Sequence, residues 1–340
     1  MERGSSPSAS PASPAAGAAA GALPSARPFR GRLVLFGGGG HAKVVVDAAV
    51  AAGGTITGCH DDRRGEPVPW MPPIAGGRGG GPAGAVSAEA IPVATSFGIP
   101  HRGSIADWRP SADQHGLLRR AVGSIELPGH TAIVGISGSG PNEAEVERLF
   151  IAVGDNTVRR RLAMELARQL ADDAPVHGPT SDTDQTEEAA SGTGASGDGP
   201  DGPWLSPLDR ERLSVLLAAV LAPSAEVSRF AQVSAGALIA PRAVVNADAV
   251  IGLGAIINTA AIIEHDCRIG DFAHIAPGVV LGGTVTVGEA ALVGLGARVC
   301  PGVTIGRGAR IGAGAVVIAD VPDDALAVGV PARVIDRLTD

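Results

Sequence analysis

Two histidines in a segment built almost entirely of aliphatic, alanine and glycine residues are the strongest candidates for chemistry in this chain. His265 lies in the run EHDC at residues 264–267, His274 follows nine residues later, and no other histidine occurs between 178 and 340. A neutral imidazole can act as a general base, and a carboxylate from Asp266 or Glu264 could hold its tautomer and raise its basicity. The pattern predicts a proton-transfer site at His265.

A glycine-rich loop near the N-terminus is the second candidate site. The motif G-x-G-x-x-A at residues 37–42 follows the apolar run Leu33–Phe36 and opens a helix-like segment. Glycines let the backbone approach a phosphate, and a helix N-terminus supplies N–H donors. About twenty residues further on, Asp61 and Asp62 could bind a ribose hydroxyl or a base edge. Because this strand-loop-helix-strand unit is too short for a full dinucleotide-binding domain, we expect a mononucleotide as the ligand and not NAD.

A six-residue repeat provides the frame in which His265 must lie. Sixteen aliphatic residues recur at this spacing from Val227 to Val317, and a small or β-branched residue stands four positions after each, with Cys267 as the exception. Neither an α-helix nor a plain strand has this period. A parallel β-helix has it, because each hexad is one short strand and a turn, and the aliphatic side chains stack into a continuous core.

The position of each residue within the six-residue repeat predicts which side chains around His265 face inward and which face outward. Cys267 occupies the inward position and is expected in the core, whereas His265 falls next to a turn and should face outward. Because three hexads close one coil, residues 18 apart stack, which places His265 beside Gly283. Glycine leaves space over the imidazole and exposes an N–H that could bind an oxyanion. These groups are the minimum equipment for acyl transfer.

A metal site is the alternative interpretation of the same residues. The γ-class carbonic anhydrases are also hexapeptide solenoids and hold zinc between subunits with three histidines. This solenoid offers two, and a catalytic zinc site normally has three protein ligands. Acidic residues or Cys267 could complete the set of ligands. Cys267, however, occupies an inward-facing position of the repeat, which argues against it as a metal ligand. We expect no metal.

Composition narrows the class of protein. The chain has 340 residues, a net charge of −8, no tyrosine and 3% aromatic residues, which argues against a nucleic-acid partner. Three cysteines without framework spacing fit a reducing cytosol. No apolar run reaches the roughly 18 residues of a membrane span, and no signal peptide is recognisable. The expected location is cytoplasmic.

The N-terminal half is predicted to be an α/β domain preceded by a tail. Residues 1–30, rich in Ser, Pro, Ala and Gly, are expected to be disordered. Residues 31–171 are expected to form a Rossmann-like domain with a Gly/Pro-rich insertion at about 63–140. Its later elements are predicted to be a strand at Leu149–Gly154 and a helix at Asn156–Ala171.

The C-terminal half is predicted to be a solenoid on a flexible connection. Residues 172–206 form an acidic tract whose composition predicts a flexible linker. The β-helix is expected over 212–319. Residues 320–340 leave the repeat and are expected to cap it, because an open solenoid end exposes unpaired strand edges.

At the level of motifs, the chain resembles the hexapeptide-repeat sugar acetyltransferases of bacterial surface-glycan pathways. These comprise the sialic acid O-acetyltransferases and the UDP-4-amino-sugar N-acetyltransferases of bacillosamine-type pathways. The segments that carry the resemblance are LVLFGGGGHAKVVVD at 33–47, Asp61-Asp62, FIAVGDNTVR at 150–159, INTAAIIEHDCRIGDFAHIAPGVVLGG at 257–283 and GVPAR at 329–333. The resemblance implies a Rossmann-like domain for a nucleotide sugar, a left-handed parallel β-helix, and a homotrimer with acetyl-CoA clefts between adjacent solenoids.

The resemblance also implies residue roles. His265 matches the catalytic base, Asp266 its acidic partner, and the Gly283 N–H the group that binds the thioester carbonyl. The positions that match the acetyl-CoA site are His274, Leu295 and Ala313. The positions that match the nucleotide-sugar pocket are Gly39, Gly40, His41, Asp61, Asp62 and Gly154.

Three functions are therefore weighed. The first is acetyl transfer from acetyl-CoA to an amino or hydroxyl group of a nucleotide-linked or sialic acid-like sugar in glycan biosynthesis. The second is a metalloenzyme like γ-carbonic anhydrase. The third is a non-catalytic sugar-nucleotide scaffold whose solenoid only trimerises. The spacing of His265, Asp266 and Gly283 favours the first.

Overall fold

The N-terminal part of the fold is a small parallel sheet with helices. The computed structural model describes residues 29–37, 39–60, 102, 108–111, 114, 147–172 and 205–337. Strand β1 (Arg32–Phe36) pairs in parallel with β2 (Thr55–His60) and β3 (Arg148–Ile151), in the order β2-β1-β3. Helix α1 (Gly40–Ala51) follows the glycine-rich loop, and α2 (Asn156–Asp172) follows β3. This is the start of a Rossmann-like sheet.

Helix α3 (Pro207–Leu216) leads into a solenoid with three faces. The first face holds β4 (Val220–Leu221), β7 (Leu238–Ile239), β10 (Ile256–Ile257), β13 (His274–Ile275), β16 (Leu292–Val293) and β19 (Arg310–Ile311). The second face holds β5 (Glu226–Val227), β8 (Val244–Val245), β11 (Ile262–Ile263), β14 (Val280–Leu281), β17 (Arg298–Val299) and β20 (Val316–Val317). The third face holds β6 (Gln232–Val233), β9 (Val250–Ile251), β12 (Arg268–Ile269), β15 (Thr286–Val287) and β18 (Thr304–Ile305).

The aliphatic ladder forms the core of this solenoid. The second residue of each strand faces inward, and Ile263, Leu281 and Val299 stack with exposed fractions of 0%, 0% and 4%. Parallel pairing sets Ile263 opposite Leu281, so the coil repeats every 18 residues. The predicted fold class, a Rossmann-like α/β part and a parallel β-helix, is confirmed.

The end of the solenoid is covered by a hairpin. Strand β21 (Ala325–Gly329) extends the first face by pairing in parallel with β19, and β22 (Ala332–Arg337) pairs antiparallel with β21. These strands occupy an edge that an open β-helix would leave unpaired. Within the described parts of the chain, no helix is long and apolar enough to cross a membrane.

The domain boundaries drawn from the sequence remain predictions. Residue 212, the expected start of the β-helix, lies inside α3, because Leu213 and Leu216 pack as a helical face against the α2 side of the sheet. The strand expected to reach Gly154 ends at Ile151. Most of the predicted tail, insertion and linker lies outside the described residues.

The α/β part sits directly on the first face of the solenoid. The outward residues Val220, Leu238 and Ile256 are buried in one cluster with Val45 of α1 and Phe150 of β3. The next outward residue on the same face is His274, which is half-buried. His274 therefore lies at the margin of the contact between the two parts of the protein.

Candidate active site

His265 and Asp266 lie at the corner where the chain passes from the second to the third face, between β11 and β12. Asp266 has a left-handed backbone (φ 60°), which Asp tolerates better than most residues. Its Oδ2 lies 2.7 Å from His265 Nδ1. The alternative partner, Glu264, accepts a hydrogen bond from Asn246 Nδ2 at 2.9 Å instead. Of the two carboxylates considered from the sequence, Asp266 is the one that contacts the imidazole.

The hydrogen bond to Asp266 sets the chemical state of the His265 ring. The carboxylate accepts, so Nδ1 donates and the neutral ring keeps its free lone pair on Nε2. This bond, followed by the nearby negative charges, raises the pKa of His265 above its ordinary value. The side chain is 61% exposed, so Nε2 is accessible to a second molecule. The arrangement equips Nε2 to act as a general base.

Gly283 lies directly against this imidazole. A Cβ atom built on Gly283 would lie 2.7 Å from both Cε1 and Nε2 of His265. Gly283 is not among the residues with positive φ, so close approach rather than backbone conformation requires glycine here. The stacking expected from the six-residue period is present, with Thr284 N–H donating to the His265 carbonyl at 2.9 Å.

At two equivalent corners the backbone amide donates to a carboxylate, which the Gly283 amide does not do within the described chain. Five hexads earlier the Leu253 N–H donates to Asp271 Oδ1 at 2.7 Å, and four hexads later the Arg307 N–H donates to Asp323 Oδ1 at 2.7 Å. Among the described residues, the Gly283 N–H has no hydrogen-bond partner. A donor without a partner next to a base is suited to an oxyanion.

The metal alternative gains no support from this geometry. Cys267 is buried in the core, as its phase predicts, and its Sγ donates to the Gly282 carbonyl at 3.2 Å. His265 lies at a corner between the second and third faces, whereas His274 lies on the first face. In the parts of the chain that the structure describes, no three His, Cys, Asp or Glu side chains form a metal-binding group.

His274 belongs to a second cluster, at the junction with the α/β part. Its Nδ1 lies 3.0 Å from the Gly154 carbonyl, and its Nε2 lies 3.1 Å from Asn258 Nδ2. A carbonyl can only accept, so Nδ1 carries the proton and Nε2 accepts from the amide. Burial, followed by the charge of Arg159, lowers the pKa of His274 to about 4. The ring is therefore neutral with a fixed tautomer.

His41 completes this second cluster. Its ring centroid lies 6.2 Å from that of His274, and Gly154 lies close enough that a Cβ there would meet His41 Cβ at 3.6 Å. Burial, followed by electrostatic coupling to His274 and by the charge of Arg159, lowers the pKa of His41 to about 3. Its Nε2 is buried and has no hydrogen-bond partner within the described residues. Three predicted site residues, His41, Gly154 and His274, are thus brought together.

The glycine-rich loop leaves the start of α1 open. Gly39 precedes the helix without a side-chain cap, and its carbonyl accepts from the Ala42 N–H at 3.0 Å. A Cβ atom on Gly40 would meet no atom of the described residues within 4 Å. A helix N-terminus with free space favours an anion such as a phosphate. Asp61 and Asp62, the predicted acidic part of this pocket, lie outside the described residues.

Two of the three predicted coenzyme residues lie apart from His274, at another corner of the solenoid. Leu295 and Ala313 stack between the first and second faces, and the Gly314 N–H donates to the Leu295 carbonyl at 2.8 Å. Leu295 is 58% exposed, and Ala313 is exposed too. Within one copy, the second face therefore separates these residues from His265.

One residue of the second cluster is not predicted by the sequence. Arg159 lies on α2 beside Arg160 and Arg161, and its exposed fraction is 1%. It donates to the carbonyls of Val153 and Gly154 and to those of Gly254 and Phe272 in the solenoid. Its position at the end of the run FIAVGDNTVR was the only available signal.

Comparisons with known proteins agree with both parts of the fold. Residues 32–74 match the PglD N-terminal domain family. Comparison with curated protein sequences finds no match. The structure of PerB from Caulobacter crescentus in complex with CoA and GDP-perosamine is 30% identical, covers 90% of this chain and 98% of its own, and has a TM-score of 0.53.

Two further solved structures extend this similarity. A point mutant of GDP-perosamine N-acetyltransferase from C. crescentus, in complex with CoA and GDP-perosamine, is 29% identical over 90% of this chain and 97% of its own, with a TM-score of 0.53. The acetyltransferase domain of PglB from Neisseria gonorrhoeae, in complex with acetyl coenzyme A, is 25% identical over 89% of this chain and 98% of its own, with a TM-score of 0.54.

Proposed function

This chain belongs to the hexapeptide-repeat sugar acetyltransferases, and we propose that it transfers the acetyl group of acetyl-CoA to an amino group of a nucleotide-linked sugar in glycan biosynthesis. The observation that carries the proposal is the contact between the His265 ring and Gly283, whose N–H has no partner in the described chain. Similarity to a GDP-perosamine N-acetyltransferase favours an amine over a hydroxyl as the acceptor.

The chemistry follows from the two groups at this corner. His265 Nε2 accepts a proton from the acceptor nitrogen as that nitrogen attacks the thioester carbonyl. The Gly283 N–H donates to the oxygen that becomes negative in the tetrahedral intermediate. Collapse of the intermediate breaks the carbon–sulfur bond, and the imidazolium returns its proton to the leaving thiolate. Asp266 stabilises the imidazolium, since its carboxylate lies 2.7 Å from Nδ1.

The nucleotide sugar is assigned to the α/β part. The open N-terminus of α1 suits its phosphates. The Nε2 atom of His41, which is buried and has no partner among the described residues, offers a hydrogen-bonding position beside it. Asp61 and Asp62 are assigned to the same substrate, from their sequence motif alone. His274, Leu295 and Ala313 are assigned to acetyl-CoA.

The active site is proposed to form between copies of a homotrimer. His265 and the pair Leu295 and Ala313 lie at opposite edges of the second face. Apart from Glu226 and Arg298, the outward residues of that face are the partly exposed aliphatic side chains Val244, Ile262, Val280 and Val316. Packing of this apolar face against another copy brings the His265 corner of one copy to the Leu295 corner of the next. The partner then completes each cleft.

Co-expression of two inactive variants tests this assembly. We expect His265→Ala and Leu295→Arg each to lack activity, and mixed trimers of the two to regain part of it, because a wild-type His265 corner then meets a wild-type Leu295 corner. The measurement is CoA release by doubly tagged trimers purified through both tags. If His265 and Leu295 of the same copy formed one site, every site in the mixed trimer would carry a defect and no activity would return.

A thiol-release assay tests the function itself. Purified protein is incubated with acetyl-CoA and a panel of GDP- and UDP-linked amino sugars, with the matching hydroxy sugars and sialic acid as controls. Release of CoA with one amino sugar and the gain of one acetyl group in that sugar by mass spectrometry are expected. Binding of nucleotide sugars without any thiol release would favour the scaffold alternative instead.

The pH dependence of kcat/KM gives a separate prediction. The base works only when unprotonated, so wild-type kcat/KM should fall as pH drops through the raised pKa of His265. Asp266→Asn removes the largest cause of that elevation, so the acidic limb should move to lower pH while the maximal rate falls with the weaker base. Asp248→Asn, at the equivalent corner one coil earlier with φ 60°, is the control. An unchanged acidic limb in Asp266→Asn would exclude His265 as the titrating base.

A further inference from the structure

Arg159 is a buried cation that, within the described parts of the chain, binds backbone carbonyls and no carboxylate. Its Nε donates to the Gly254 carbonyl at 2.8 Å and its Nη2 to the Phe272 carbonyl at 2.6 Å, both in the solenoid. Its Nη1 donates to the carbonyls of Val153 at 2.9 Å and Gly154 at 3.1 Å, in the loop after β3. One side chain therefore ties the α/β part to two coils of the solenoid.

Stability alone is a poor reason to keep an arginine at this position. Taking a guanidinium out of water is costly, and hydrophobic residues of similar volume often replace buried ionic groups without loss of stability. Burial lowers the pKa of Arg159 to about 9, which reflects this cost. A guanidinium holds its N–H donors in one fixed plane, and a hydrophobic residue has no such donors. This difference points to a role for Arg159 in positioning the carbonyls that accept from it.

The Gly154 carbonyl connects Arg159 to both predicted binding regions. It accepts from Arg159 Nη1 at 3.1 Å and from His274 Nδ1 at 3.0 Å, so it uses both of its lone pairs. The His274 ring, assigned to acetyl-CoA, is oriented by this carbonyl. On the other side of the loop, Gly154 packs against His41, which is assigned to the nucleotide sugar.

Helix α2 is fixed to the solenoid in the same region. Asn156 Nδ2 donates to the carbonyls of Ala290 and Ala291 at 2.9 Å each, and its Oδ1 lies 3.4 Å from Arg159 Nη2. The loop that carries Gly154 is therefore held at its end by Asn156 and along its length by Arg159.

We propose that Arg159 is a positioning residue that, through the Gly154 carbonyl, fixes the His274 ring and the loop beside His41, and so sets the affinity for both substrates. This inference rests on the proposed function, which assigns His274 and His41 to those substrates. Arg159 acts through its neighbours and is 1% exposed, so it does not itself contact the reacting atoms.

The test compares substitutions on α2. Arg159→Met removes the charge and the donors, Arg159→Lys keeps the charge with fewer donors, and Arg161→Met is the matched control, because Arg161 is exposed on the same helix. In both Arg159 variants we expect KM for acetyl-CoA and for the nucleotide sugar to rise by about tenfold to a hundredfold, with kcat changed less than either KM. Arg161→Met should match the wild type.

A double-mutant cycle shows whether Arg159 acts through His274. In a His274→Ala background, Arg159→Met should add little to the KM for acetyl-CoA but should still raise the KM for the nucleotide sugar. If Arg159→Met raised the KM for acetyl-CoA equally in both backgrounds, the proposal would be overturned. KM values in both Arg159 variants like those of Arg161→Met would overturn it too. Arg159→Lys carries the test if Arg159→Met does not fold.

A crystal structure of Arg159→Lys separates this inference from the proposed function, because it needs no activity. Loss of the hydrogen bond between His274 Nδ1 and the Gly154 carbonyl supports the positioning role even if no sugar is acetylated. Retention of that bond with unchanged ring orientation contradicts the role, whatever the wild-type enzyme does with acetyl-CoA.

Discussion

Replacing His265 with alanine is expected to lower kcat by about 10²–10⁴, the usual contribution of a general base. The variant removes the only group at this corner that the mechanism uses to accept the proton of the acceptor amine. The wild-type ring is 61% exposed, so its loss should leave the melting temperature unchanged. KM for acetyl-CoA should also change little, because the coenzyme is assigned to His274, Leu295 and Ala313. Steady-state thiol release at saturating substrates gives kcat, and thermal unfolding checks the fold.

The solenoid supplies a matched control for this substitution. Arg229 occupies the same position of its hexad two coils earlier and is also exposed. Arg229→Ala should therefore lose a comparable solvent-exposed side chain at an equivalent corner without loss of rate. Near-normal turnover in His265→Ala, or an equal loss in Arg229→Ala, would remove His265 from the mechanism.

The repeat predicted this corner from the sequence because its period fixes which residues stack. The 18-residue coil placed Gly283 against His265 and turned Cys267 inward, and the structure has both arrangements. The period did not decide between Asp266 and Glu264 as the partner of His265. That choice depends on a left-handed residue at the corner and on Asn246 one coil earlier, and both are properties of the folded chain.

The second cluster could not be predicted in the same way. The repeat shows that His274 faces outward, but not which of three outer faces another domain covers. The α/β part buries the first face, and only then do Gly154 and His41 meet His274. Arg159 is harder still, because its acceptors are backbone carbonyls and leave no pattern in the side-chain sequence.

Gly283→Ala has the second large effect, an expected fall in kcat of about 10²–10³, comparable to loss of one oxyanion donor. The new Cβ would lie 2.7 Å from Cε1 and Nε2 of His265, so the ring must move. The ring is exposed and can rotate, so the fold should survive with a near-wild-type melting temperature. A rotated ring leaves Asp266 and no longer faces the N–H, and the methyl group fills the space in which the thioester carbonyl would bind.

The same substitution in a His265→Ala background isolates the cause of this loss. If the methyl group acts by displacing the His265 ring, Gly283→Ala should lower kcat far less in the variant that lacks the ring. Residual thiol release by the single and double variants, measured at saturating acetyl-CoA, gives the coupling. If Gly283→Ala lowers kcat as much in the double variant as in the single variant, the loss arises at the N–H alone. Wild-type turnover in Gly283→Ala itself would show that this glycine has no part in the reaction.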